Sequence, residues 1–177
     1  NKIKEEIERY SIIRAVTAVE RADVVIIVID ATEGVTEQDA KIAGIAHDRG
    51  KGIIIAVNKW DAIEKDNNTV KKHTEKIRQI LSFMPYAEIL FISAKSGQRL
   101  NKIFEMIDVV IENNSMRVAT GVLNEIVTEA VAMQQPPTDK GKRLKIYYVT
   151  QVAVKPPTFV VFVNDKNLMH FSYTRYL

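Results

Sequence analysis

Three runs of consecutive apolar, mostly β-branched residues punctuate the first two-thirds of the chain, at 24–29, 53–57 and 89–92. A run without polar alternation suits a strand covered on both faces, as in a parallel sheet. Between and around these runs the spacing changes to the helical period. Residues 3–22 interleave Ile3, Ile7, Tyr10 and Ile13 with Arg14, Thr17 and Arg21, with no Gly or Pro. A second helix is predicted at 37–48, opened by Thr36 as N-cap and ended by Gly50 and Gly52. A third covers 69–83 before Pro85, and a fourth covers 100–112. Strand–helix alternation with short loops predicts an α/β unit with helices flanking a parallel sheet. Such sheets bind ligands at the C-terminal ends of their strands, where Asp30, Asn58 and Ser93 stand.

The pattern shifts around residues 113–115, which is the predicted boundary between a first domain at 1–115 and a second at 116–177. A helix at 118–133 is followed by a turn-rich basic loop at 134–142. Two strands then follow at 144–154 and 158–163, separated by Lys155, Pro156 and Pro157. That order is α+β. Charge divides along the same line. Residues 116–177 hold 8 Lys/Arg against 4 Asp/Glu, whereas residues 1–115 hold 17 against 18, so the basic excess lies in the second part and suggests a polyanionic partner there. Lys140, Lys142, Arg143 and Lys145 cluster beside Tyr147 and Tyr148, a combination that suits phosphate neutralisation and base stacking. A solvated loop beside a tyrosine-bearing strand is the plainer alternative.

The sharpest chemistry is Asn58-Lys59-Trp60-Asp61, an N-K-x-D directly after a buried strand. Guanine presents N1–H and its 2-amino group side by side, and one ionised carboxylate accepts both, so Asp61 is the group that would select guanine. Adenine offers neither donor in that geometry. Asn58 could donate to N7 and tie neighbouring loops together. Lys59 could lay its aliphatic stem on the base and return its ammonium to the loops. Ser93-Ala94-Lys95 follows the next strand, where the Ala94 N–H could meet guanine O6 and Lys95 could cover the opposite face. An ordinary polar turn is the alternative for each segment alone. Two such matches after successive strands border one pocket.

Other chemistry finds little support. The nearest approach to a phosphate loop, Gly44 to Gly52, has the wrong spacing, puts Gly where a hydroxyl belongs, and precedes a strand rather than a helix. Asp30 could be mistaken for a catalytic carboxylate, but a strand-end residue bonding the Glu33-Gly34 turn is the simpler expectation. His47, His73 and His170 lack ligand spacing and there is no Cys, so no metal site is expected. The lack of Cys, of a long apolar run and of a leader-like start fits a cytoplasmic protein without a membrane span, whose own N-terminus lies upstream of Asn1.

Asn58–Asp61, 10–15, 37–44, 143–148, 155–164 and 165–173 together resemble the Der (EngA) family of bacterial ribosome-assembly GTPases, over essentially the whole chain. The resemblance implies the fold: a partial P-loop GTPase sheet over 1–115, then a small KH-like domain over 116–177, truncated at its C-terminus. It assigns guanine recognition to Asn58, Lys59, Asp61, Ser93, Ala94 and Lys95. It places the phosphate loop, the Mg²⁺-binding Thr and the D-x-x-G motif upstream of Asn1, so that no catalytic residue lies in this chain. Strand 24–29 would pair there with the phosphate-loop strand. The implied function is GTP binding and Mg²⁺-dependent hydrolysis in ribosome biogenesis, with guanine nucleotide and ribosomal RNA of the large-subunit precursor as partners, and not DNA. The 177 residues alone are expected to be inactive. The KH-like part has no G-x-x-G loop, so the usual KH clamp on RNA is not expected. A non-enzymatic RNA- or protein-binding module and a flavodoxin-like domain are the competing readings. They are discriminated by whether the loops at 58–61 and 93–95 share one pocket.

Overall fold

The computed structural model describes residues 2–139 and 141–177, with side chains from Ser11 onward. Two compact units meet in sequence between Asn114 and Ser115.

In the first unit α1 (Lys2–Arg21), β1 (Val24–Asp30), α2 (Glu37–Asp48), β2 (Gly52–Asn58), α3 (Thr69–Ile80), β3 (Glu88–Phe91) and α4 (Leu100–Ser115) follow one another. The three strands form a parallel sheet in the order β1-β2-β3. The uninterrupted apolar run of β2 is explained by its central place: Ile53 to Val57 are all buried. On one face Ile53, Ile55 and Val57 join Ile27 and Ile29 of β1 and Ala43 and Ala46 of α2, with Ile77, Leu81 and Met84 from α3 and its exit. At the start of β2 the backbone comes so near α4 that a Cβ on Gly52 would lie 2.5 Å from Val110 Cγ1, which leaves room for Gly only.

α2 opens at Thr36, the predicted N-cap, by a capping box in which Thr36 Oγ1 accepts the Asp39 N–H and Asp39 accepts the Thr36 N–H. α3 is shorter than the predicted 69–83. Leu81 leaves helical geometry, and the chain turns to bury Leu81 and Met84 in the core. Burial of those two side chains, which the helical period does not report, ends the helix. β1 stands at the edge of the sheet, with Ile26 and Val28 exposed. An apolar cleft of about 410 Å³ runs along it, lined by Ala15, Ala18, Val24, Ile26 and Ile42 among others.

In-register pairing sets the level of the strand ends. Val24 to Asp30 face Gly52 to Asn58, and Val57 faces Phe91. Asp30, Asn58 and the residues just after Phe91 therefore leave the sheet side by side.

The second unit holds α5 (Thr120–Met133), β4 (Thr138–Asp139), β5 (Lys142–Arg143), β6 (Ile146–Ala153), β7 (Thr158–Val163) and α6 (Phe171–Tyr176). β4 and β5 form a two-residue antiparallel hairpin inside the stretch predicted as loop, with Gly141 at φ 76 turning the chain. β6 and β7 form an antiparallel ribbon. Leu144, Leu168 and Tyr173 make a small core with Ile146 and Val163. The Asn124 side chain of α5 accepts the Val149 N–H and donates to the Val149 carbonyl, both at 2.8 Å. The helix side chain thus satisfies both backbone polar groups of a buried strand residue.

Among the described residues no helix is long and apolar enough to cross a membrane.

Candidate functional site

Lys59 follows β2 in the left-handed region, φ 61 and ψ 31, and a 3-10 turn at Trp60–Ala62 follows it. This kink sends Trp60 inward while Lys59 and Asp61 stay exposed. The Trp60 ring is 2% exposed, packs on Phe91 at 4.4 Å between centroids and meets His73 edge-on at 5.2 Å. The Trp60 backbone N–H donates to the Ile92 carbonyl at 3.0 Å. The loop after β2 is thus pinned to the loop after β3 before any polar side chain acts.

Three polar ties complete the constellation. The fully buried Ser93 hydroxyl donates to Asp61 Oδ1 at 2.5 Å and accepts the Ser96 N–H at 3.1 Å. The Ala94 N–H donates to Asn58 Oδ1 at 2.9 Å. The Lys59 ammonium reaches across to Asp30 Oδ2 at 2.5 Å, and Asp30 Oδ1 accepts the Thr32 N–H and hydroxyl at 2.9 and 2.7 Å. Asn58, Lys59, Asp61, Ser93 and Ala94 therefore lie in one neighbourhood at the C-terminal end of the sheet. Lys95 is exposed beside them, close enough for its charge to act on Asp61.

The electrostatics fit a carboxylate kept ionised. The Ser93 hydroxyl holds the Asp61 carboxyl below its ordinary value, with help from Lys95 and Lys65. The Lys59 ammonium and Thr32 bring Asp30 down to about 2, and Asp30 raises Lys59 in return.

Position in the fold sharpens each role. Ser93 is buried with its hydroxyl engaged on Asp61, which holds the carboxylate in one orientation. The Ala94 N–H, expected from the sequence to meet a purine O6, donates here to Asn58 Oδ1. Asp30 bonds the Glu33 and Gly34 amides through its backbone carbonyl, as expected, but its side chain anchors Lys59. That role is missing from the sequence reading. The signal for it was an acidic residue ending the strand before the Asn-Lys pair, legible only once Asp30 is known to face Asn58 in register.

Removing the Asp30 charge by Asp30→Asn should free Lys59. Both groups are part-exposed and screened, so guanine nucleotide affinity is expected to fall only about two- to fivefold. Calorimetric titration of the full-length protein checks this, with no further loss expected when Asp30→Asn is added to Lys59→Met. A folded-state pKa held down to about 2 keeps the tie intact at neutral pH and loses it only as pH falls from about 4 toward 2.

In the second unit Lys142, Arg143 and Lys145 are exposed, whereas Lys140 lies outside the described residues. Among the described residues no three or more His, Asp or Glu side chains gather to hold a metal ion. His47 bonds the Tyr86 hydroxyl at 2.8 Å, and His73 packs on Trp60.

The sequence matches the family model described as the elongation factor Tu GTP binding domain over residues 11–113. Residues 117–177 match the KH-domain-like C-terminal region of EngA bacterial GTPase enzymes. GTPase Der of Agathobacter rectalis is 95% identical over all 177 residues, which span 40% of its length. GTPase Der of Lachnoclostridium phytofermentans is 75% identical over the same span, again 40% of its length. Among solved structures, translation elongation factor SelB from Methanococcus maripaludis in complex with the GTP analogue GppNHp aligns with TM-score 0.50 and 25% identity. That alignment covers 59% of this chain and 23% of that one.

Proposed function

Because the chain belongs to the Der (EngA) family of bacterial GTPases, we propose that its first unit selects guanine for a GTP-hydrolysing protein of ribosome assembly. The observation that carries this is the buried Ser93 hydroxyl on Asp61 Oδ1 at 2.5 Å. It fixes an ionised carboxylate beside the Ala94 amide, at the end of the sheet where ligands bind.

The donor set fits the base. Asp61 accepts the N1–H and 2-amino donors, and the Ala94 N–H donates toward O6. The Asn58 amide reaches N7, and the Lys59 and Lys95 stems cover the ring faces. Adenine sets a donor opposite the Ala94 N–H and leaves Asp61 unpaired, which disfavours it twice over. In the full-length protein the bound Mg²⁺–GTP supplies the phosphoryl group and charge neutralisation of the hydrolytic step. The described residues of this chain offer that ion no ligand cluster, and their part is recognition and orientation of the base.

The second unit meets RNA of the large ribosomal subunit precursor in the cytoplasm. Its support is the basic excess after residue 115 and the exposed Lys142, Arg143 and Lys145.

Displacement of a fluorescent GDP from the full-length protein tests the base assignment. GDP and GTP should compete fully. ITP, which lacks the 2-amino donor, should compete about tenfold less well, and ADP should not compete at a hundredfold excess. Equal competition by ADP would overturn guanine selection, and no binding of fluorescent GDP would favour a non-enzymatic binding module.

A further inference from the structure

The two faces of the β6–β7 ribbon differ. One carries Val149 and Gln151, both buried. Gln151 accepts the Val118 N–H at 2.7 Å and donates to the Met116 carbonyl at 3.0 Å, so that face holds the chain leading into α5. By strand alternation the other face carries Tyr148 of β6 with Val160 and Phe162 of β7, each 37–45% exposed. Tyr148 and Phe162 are cross-strand partners, and their rings stack at 4.2 Å and 10°. Two nearly parallel, half-exposed rings form a short column that a third flat ring can extend.

The charge beside this column is fixed, not trailing. Asn164, two residues after Phe162, accepts the Lys145 N–H at 2.8 Å, donates its own N–H to the Lys145 carbonyl at 3.1 Å, and donates its side-chain amide to the Arg143 carbonyl at 3.2 Å. Lys142, Arg143 and Lys145 are thereby held at the end of the ribbon that carries the Tyr148–Phe162 pair. Among the described residues none of the three is in an ion pair, and the nearest opposing carboxylate in the ladder is Asp139, across from Lys142.

We propose that this open face of the ribbon binds unpaired RNA, a base stacking on the Tyr148–Phe162 column while Lys142, Arg143 and Lys145 neutralise the adjoining phosphates. Aromatic side chains on an open sheet take single-stranded bases through their π-faces, and a duplex, with its bases already stacked, cannot use them. The proposal rests on the reading that the second unit meets RNA, and names the state of that RNA and the residues that read it. A protein partner on the same apolar face would not need the three cations beside it.

The test uses the full-length protein, a fluorescein-labelled 12-nucleotide RNA without self-pairing, and the blunt duplex of the same sequence, followed by anisotropy across KCl concentrations. The single strand should bind more tightly than the duplex. Tyr148→Leu with Phe162→Leu keeps the face apolar and should weaken single-strand binding about fivefold or more. Duplex binding, the salt slope and GDP affinity should not change. Lys142→Ala, Arg143→Ala and Lys145→Ala together should lower the single-strand salt slope by about 2. In the parent protein, 4-thiouridine photocrosslinks should fall within residues 146–166, a readout that does not depend on any variant folding. Unchanged single-strand affinity in the leucine variant overturns the stacking site, and so do crosslinks confined elsewhere. If the leucine variant instead loses self-association and keeps RNA affinity, the face is a protein contact and the proposal falls. No RNA binding by the parent protein would sink the RNA reading itself and leave guanine selection standing.

Discussion

Asp61→Asn should turn the full-length protein from GTP toward xanthosine triphosphate, lowering GTP affinity by at least about tenfold. In the folded loop Asp61 Oδ1 already accepts the Ser93 hydroxyl, so an Asn at this position would turn its carbonyl oxygen toward Ser93 and its amino group toward the base. That amino group would oppose the 2-amino group of guanine, donor against donor. Xanthine carries a carbonyl oxygen there and accepts from it. The swap removes no buried apolar atom, so the fold should not change, and loss of GTP binding without gain of XTP binding would speak against Asp61 as the selector. Competition of GTP and XTP for one fluorescent nucleotide gives the ratio directly. Ser93→Ala separates orientation from contact: Asp61 keeps its charge and loses its guide.

Trp60→Ala carries the largest expected cost in stability. The ring is buried against Phe91 and His73 under the loop that bears Lys59 and Asp61. Emptying such a site costs about 3–5 kcal/mol, a large share of the roughly 5–15 kcal/mol that holds a domain folded. Hydrogen exchange at Ile53 to Val57 of β2 reports this unit alone within a longer protein. Protection there should fall by about two to three and a half powers of ten. Guanine affinity should fall with it, because the turn that aims Asp61 loses its anchor. Trp60→Phe, which keeps a ring against Phe91, should recover most of both. A variant with full β2 protection would mean that the ring is a passenger in the loop.

How far the residues announce their own arrangement depends on whether the information is local. The central strand is legible because Ile53 to Val57 contain no polar residue, and only a strand covered on both faces tolerates that. Thr36 is legible as a cap because its signal lies next to the helix it opens, whereas its reciprocal partner Asp39 emerges from the structure. The loops at 58–61 and 93–95 are legible because each follows such a strand, and the hydrogen bonds between Ser93 and Asp61 and between Ala94 and Asn58 bring them together. What stays hidden is set by pairing at a distance. The tie from Lys59 to Asp30 needs the register of β1 on β2. The end of α3 at Ile80 follows from where Leu81 and Met84 are buried. The burial of Ser93 with its hydroxyl on Asp61 follows from the close approach of two loops. In the second unit the Asn164 clamp on Arg143 and Lys145 joins residues about twenty positions apart, and the β4–β5 hairpin is too short to show a period.

Trp60 is the one indole in these 177 residues, and it sits one position before the carboxylate proposed to read the base. Its emission arises in a dry setting between a phenyl ring and an imidazole, under the loop that a purine would touch. A purine pressing on that loop would shift the field at the indole. The unit therefore carries a built-in optical gauge of its own occupancy, readable without any attached dye.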